Sequence, residues 1–337
     1  MSGALVEVTR GGTVESVHFG SVVVGDADGT VLFAWGDPDL AVFPRSAVKA
    51  IQAIPLVESG AADRYGFEDR DLALACASHS GEPDHLRTAR DLLSRAELDE
   101  KALECGAHWS LRQPVLIEQA RGLAHGPTPV CNNCSGKHAG FLCTAVHHGF
   151  STEGYVHPDH PVQETVRRVL EEVTGVPHDS RNRAIDGCSI PTYAVPLRAL
   201  ASAFARLETG TLPPERAKAA ARIMTACRRE PFMVAGTDRF DTAIMKEDGI
   251  FAKTGAEGVY CGSIAGSPYG IALKIADGAS RASEVAFAAV CAALSDDAKA
   301  HEFARVPLNN WRGTQVGELR PAPDFHRRLL AAAAGSV

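Results

Sequence analysis

Apolar positions change their spacing twice along the chain, and the changes predict three regions. Residues 13–35 carry short β-rich runs: Ser16-Val17-His18-Phe19 and Ser21-Val22-Val23-Val24, then Thr30-Val31-Leu32-Phe33-Ala34-Trp35. Asp26-Ala27-Asp28-Gly29 separates them, and an Asp-Gly pair between such runs is a hairpin turn signal. From Ser46 the period lengthens, with Val48, Ile51 and Ile54 on one face of a helical run ending at Ile54. Helical spacing then predicts Pro83–Ala96, Lys137–His148, Pro161–Thr174, Pro191–Leu207 and Pro214–Arg229. Several of these open on proline, whose missing N–H costs nothing in a first turn. Strand character returns in Phe251–Thr254, Gly258–Cys261 and Gly270–Ile275, and a helix over Ala282–Leu294 follows. Strands at both ends with helices between predict an α+β fold. One antiparallel sheet is expected from about 4–40 and 250–295, with a helical region over about 83–230, in a single domain of 1–337. The Ala/Gly-rich tail, 331–337, is expected to fray.

Composition narrows the function classes. The 337 residues are 45% apolar and 22% charged, ordinary for a globular protein with a real core. A formal net charge of −7 without any Lys/Arg-rich run gives nucleic acid or an anionic membrane no electrostatic hold. No apolar stretch reads as a membrane span, and the start lacks a signal-peptide core, so a cytoplasmic location is expected. Nine cysteines in such a setting argue against a disulfide framework. Cys76, Cys143, Cys227 and Cys291 sit among apolar neighbours and are expected to be buried; Cys131, Cys134 and Cys188 need another explanation.

Candidate chemistry begins with Ser46 and Lys49 in Phe43-Pro44-Arg45-Ser46-Ala47-Val48-Lys49. A serine hydroxyl is a poor nucleophile until a neighbouring base takes its proton, and an i, i+3 spacing puts a lysine on the same helical face. A lysine serving as base must be neutral, about 4–5 kcal/mol away from its ordinary state near pH 7. Burial and a second cation, such as Lys253 of Lys253-Thr254-Gly255, are the two usual causes. The plain alternative is a solvated lysine beside an N-cap serine. Ala77-Ser78-His79-Ser80-Gly81-Glu82 is a second polar island, and Ser78 near Lys253 makes a second Ser–Lys pair. Its plain alternative is a helix-entry loop capped by Ser80 or Glu82. Cys131-Asn132-Asn133-Cys134-Ser135-Gly136-Lys137-His138 and Asp186-Gly187-Cys188-Ser189 hold thiols, an imidazole and a carboxylate. Such donors suit zinc, but the spacing alone favours buried or redox-active thiols.

These five motifs, in this order, resemble the zinc-containing, serine-dependent L-asparaginases of the Rhizobium etli type, the class 3 asparaginases. The likeness runs from about residue 4 to residue 295. It implies a serine β-lactamase/glutaminase-like fold and two Ser–Lys dyads, Ser46–Lys49 and Ser78–Lys253, with Ser46 as the acyl-accepting nucleophile. It implies zinc held by Cys134, Lys137 and Cys188, with Cys131 outside the ligand set. His138 and Asp186 then touch substrate or metal-bound water. The implied substrate is L-asparagine and the implied assembly a homodimer. In the β-lactamase pattern a serine is followed two residues later by asparagine; here the motif is Ser78-His79-Ser80, which argues against lactam chemistry. The rival readings are a serine-dependent glutaminase or other amidase on the same scaffold, since one methylene is worth only about 1–3 kcal/mol in a pocket. A different class is a non-catalytic zinc or redox sensor using the Cys134/Cys188 cluster, which leaves Ser46, Lys49 and Lys253 without a role.

Overall fold

The computed structural model describes residues 3–246, 249–295 and 297–335. They form two compact units, each assembled from separated stretches of chain: Met1–Ala47, Val195–Thr209 and Gly249–Val337 in one, Val48–Ala194 and Gly210–Asp248 in the other.

The first unit is built on an antiparallel sheet of eight strands. Along it run Val306–Asn309, Gln315–Pro321, Gly3–Arg10, Thr13–Asp26, Tyr269–Ile275, Val259–Ile264 and Ile250–Thr254, with Val31–Trp35 also pairing to Thr13–Asp26. The expected hairpin is present in register, Val22 facing Trp35 and Val24 facing Phe33. Its first arm is one continuous 14-residue strand rather than two runs. Val22, Val23 and Val24 are all fully buried, as are Ile271, Ala272 and Leu273. Consecutive buried residues in a strand mean that both faces are covered, because successive side chains point to opposite sides. Two helices do the covering. Phe204 of Leu197–Thr209 stacks 5.9 Å from Phe251, and Phe287 of Ser280–Leu294 lies 4.6 Å from Tyr260. Phe251 pairs with Ser263, three positions from Tyr260, so the two rings sit on opposite faces. Each buried aromatic is worth roughly 1.5–3 kcal/mol in transfer free energy. The strands Val306–Asn309 and Gln315–Pro321 and the helix Pro323–Ala334 extend this unit past the expected limit of 295. The expected frayed tail is helical as far as Ala334; residues 336 and 337 lie outside the described residues.

The second unit is helical. Pro161–Thr174 and Pro214–Arg229 have the expected bounds, and Pro83–Arg95 and Ser135–His148 differ from expectation by one or two residues. Ser135–His148 is its spine, buried from Ser135 through Ala145. Its start approaches Asp69–Ala75 so closely that a Cβ on Gly136 would lie 2.3 Å from the Leu74 carbonyl oxygen. Two expectations fail. The helix over Pro191–Leu207 begins only at Leu197; Pro191–Tyr193 and Val195–Pro196 are short strands, drawn out by pairing with Arg183–Ile185 and Ala41–Val42. The helical run from Ser46 is also broken, into the 3-10 turn Arg45–Val48 and the short helices Lys49–Gln52 and Ile54–Glu58, with Pro55 denying a continuous ladder. Among the described residues no helix is long and apolar enough to cross a membrane.

Candidate functional site

Ser46 closes the first unit's N-terminal stretch, half-buried in the 3-10 turn. Arg45 before it adopts φ 48°, a left-handed conformation that strains a residue with a Cβ by order 1 kcal/mol. Lys253 stands fully buried on the strand Ile250–Thr254, its Nζ donating to the Thr254 carbonyl at 3.1 Å. Gly255 explains why the Lys-Thr-Gly run ends as it does. A Cβ there would come within 2.7 Å of the Pro44 carbonyl oxygen, so glycine lets this strand end pack against the chain two residues before Ser46. The sheet unit therefore joins two of the five motifs.

The helical unit joins the other motifs around one buried cluster. Lys49 opens its helix with only 1% of its surface exposed. Its Nζ donates to the Ala77 carbonyl, to Ser78 Oγ at 3.0 Å and to Cys134 Sγ at 3.1 Å. Ser78 is carried by a loop stitched into place on both sides: Ser78 N–H donates to the Val234 carbonyl, Ser80 N–H to Ala235 and His79 N–H to Asn133. Glu82 begins the following helix, its N–H donating to His85 Nδ1, so the helix-entry role belongs to Glu82, and Ser80 Oγ donates to Ala235 instead. Cys134 and Lys137 come from the first turn of the spine helix, where i, i+3 spacing places them on one side. Lys137 Nζ donates to Cys188 Sγ at 3.0 Å, and Cys188 Sγ to Asp186 Oδ2 at 3.2 Å. Ser189, next in the chain, takes φ 77°, a second left-handed non-glycine residue beside the cluster.

Charge in this cluster is shared unevenly. A side-chain hydrogen bond with Cys188 pulls the Cys134 thiol well below its ordinary range; burial opposes this, and Lys49 and Lys137 add to it. Cys188 moves the other way, pushed up by the Cys134 sulfur and by burial. Burial works against the Lys137 ammonium, yet the Cys188 and Cys134 sulfurs outweigh it and raise its pKa. The two thiols thus move in opposite directions, Cys134 towards the thiolate and Cys188 away from it. Cys105 shows the contrast: burial pushes its thiol up to about 12. His138 is neutral, driven well below its ordinary pKa by burial first and then by Lys137 and Lys49.

Two sulfurs and an amine, with a carboxylate oxygen beside them, are donors that zinc accepts. Among the described residues no three His, Cys, Asp or Glu side chains are grouped to hold a metal. An ion in this cluster thus depends on the Lys137 amine, and binding would have to displace its proton. Cys134, Lys137, Cys188 and Asp186 lie together in the helical unit, and Cys131 closes the turn Pro129–Cys131. The Lys49–Ser78 and Lys49–Cys134 bonds were not foreseen, because partners 29 and 85 residues away leave no local pattern. Tyr155 was missed as well. Its hydroxyl lies 2.7 Å from His138 Nδ1, and a lone tyrosine in the loop after Gly154 carries no motif.

No curated protein matches the chain. Among solved structures, one described as Mglu in its native form aligns over 83% of this chain and 64% of its own, at 15% identity and a TM-score of 0.43. A second Mglu structure aligns over 78% and 64%, at 14% identity and 0.41. This chain thus spans less than two thirds of either. The model of L-asparaginase II matches residues 6–321, a span that contains every residue of both motif groups, and the chain belongs to the L-asparaginase II family.

Proposed function

We propose that this protein hydrolyses L-asparagine to L-aspartate and ammonia through an acyl-enzyme on Ser46. The family match over residues 6–321 carries the reading, and the buried Lys49–Ser78–Cys134 group supports it. Ser46 Oγ attacks the side-chain amide carbon as Lys49 Nζ accepts the hydroxyl proton. Negative charge develops on the amide oxygen, where the Ser46 N–H at the start of a helical turn is a suitable donor. The C–N bond breaks, the nitrogen takes up the proton held by Lys49, and ammonia leaves a β-aspartyl ester on Ser46. Water, deprotonated by the same amine, then cleaves the ester and returns the hydrogen to Ser46 Oγ. Ser78 and Lys253 form the second dyad of this reading, passing protons to and from Lys49.

Cys134, Lys137 and Cys188 would hold zinc, with Asp186 and His138 contacting substrate or metal-bound water. Bound zinc supplies a positive centre that orients the substrate carboxylate, the chemistry itself being served by serine and lysine. A homodimer belongs to the same reading and is checked by sedimentation. Acid-quenched turnover followed by peptide mapping tests the mechanism. An ester on the Ser46 peptide is expected; an ester on the Ser78 peptide would reassign the nucleophile, and none on either would remove the acyl-enzyme.

A further inference from the structure

Tyr155 is completely buried, and a phenol so placed must find partners for both its hydrogen and its oxygen. The oxygen accepts the Glu104 N–H at 2.9 Å. A backbone N–H can only donate, so the phenolic hydrogen needs another acceptor. The remaining polar contact is His138 Nδ1, at 2.7 Å. If Nδ1 carried a hydrogen, it would donate to the phenolic oxygen and leave the phenolic hydrogen without an acceptor, the costly case for a buried group. Tyr155 therefore donates to Nδ1, and the neutral ring carries its hydrogen on Nε2.

The contact is braced. Gln163 Nε2 donates to the Tyr155 carbonyl at 3.0 Å, and the Gly154 N–H donates to Glu104 Oε1 at 2.7 Å. The His138 ring is set edge-on to Tyr155 at 5.5 Å and to Phe141 at 5.9 Å. What remains is Nε2, which is buried and has no hydrogen-bond partner among the described residues. A buried donor left open beside the Lys137 ammonium suits an anionic acceptor that arrives from outside.

We propose that Tyr155 is a positioning residue that locks His138 as the Nε2–H tautomer. The imidazole then offers a hydrogen-bond donor, and no lone pair, to a carboxylate oxygen of the bound amino acid. His138 in this state is a substrate contact and not a metal ligand through Nε2. The substrate half of this statement rests on the asparaginase reading; the tautomer half does not.

Long-range 1H–15N correlation on the full chain with 15N-labelled histidine reads the tautomer directly, the His138 signal being assigned by its loss in His138→Gln. Hydrogen on Nε2 in the ligand-free protein is expected, and hydrogen on Nδ1 overturns the proposal whether or not the protein turns over asparagine. Tyr155→Phe should lose the fixed tautomer and raise KM for L-asparagine roughly tenfold, with a smaller change in kcat. A Tyr155→Phe protein with an unchanged tautomer and KM also overturns it. Should that variant not fold, a second pair decides. His138→Gln keeps an N–H near the Nε2 position and should bind substrate better than His138→Asn; the reverse order contradicts the proposal. A wild-type protein with the Nε2–H tautomer and no asparagine hydrolysis would leave the lock standing and sink the reading of its substrate.

Discussion

The sheet unit and the helical unit bury their lysines on different terms. In the sheet, Lys253 is buried on a strand with apolar neighbours, its Nζ donating to the Thr254 carbonyl. In the helical unit, Lys49 and Lys137 each donate a hydrogen bond to a cysteine sulfur, and the two thiols are hydrogen-bonded to each other. The sheet thus owes its order to apolar burial on two faces, which is insensitive to pH and tolerant of exchange between similar shapes. The helical unit surrenders part of that to hold thiols, amines and imidazoles in one interior. Chemistry that needs mobile protons and polarised groups belongs in the second kind of interior.

Four changes break or sharpen this contrast. Lys49→Met is expected to lower kcat for asparagine about a thousandfold, the scale of losing a positioned base. Lys253→Met should cost less, about tenfold to a hundredfold, and the two are compared by ammonia release at saturating substrate. Gly136→Val forces a side chain into the Leu74 carbonyl and should destabilise the protein by about 3 kcal/mol, read as a lowered urea midpoint.

Acid separates the units next. His79 and His85 stack 5.0 Å apart in the helical unit, both with lowered pKa values, chiefly through burial. An imidazole that must stay neutral when folded, but protonates when unfolded, favours unfolding once the pH drops below its unfolded pKa. Stability is therefore whole above about pH 6.5. It falls by about 1.4 kcal/mol per pH unit for each such histidine, down to the folded pKa. Hydrogen exchange between pH 7.5 and 5.5 should show Pro83–Arg95 losing protection before the strands Val259–Ile264 and Tyr269–Ile275. Equal loss in both would erase the distinction. The smallest effect is expected from Cys188→Ser, which should strip bound zinc and raise KM about tenfold while kcat changes less. A loss confined to kcat would place the metal in the bond-making step.

The sequence exposed the elements whose signals are local. Pro161–Thr174 is bounded by a first-turn proline and by Gly175 in a left-handed cap at φ 71°, both visible as letters. Pro191–Pro196 misled because a proline can open a helix or sit in a short strand, and the choice was made by partners at 183–185 and 41–42. The strands at 306–321 were missed for the same reason. Gln315–Pro321 is mostly half-exposed and pairs with Gly3–Arg10, at the far end of the chain. In the site, groupings within one short motif were legible: Cys134 beside Lys137 and Asp186 beside Cys188. Tyr155 and the Lys49–Ser78 bond were not, since each is defined only by what folding brings to it.

The most direct measurement is ammonia release from L-asparagine by the purified protein beside its Ser46→Ala variant, both shown to be folded. The account predicts turnover by the wild type that vanishes in the variant. Undiminished release by Ser46→Ala, or none from a folded, zinc-loaded wild type, would contradict it.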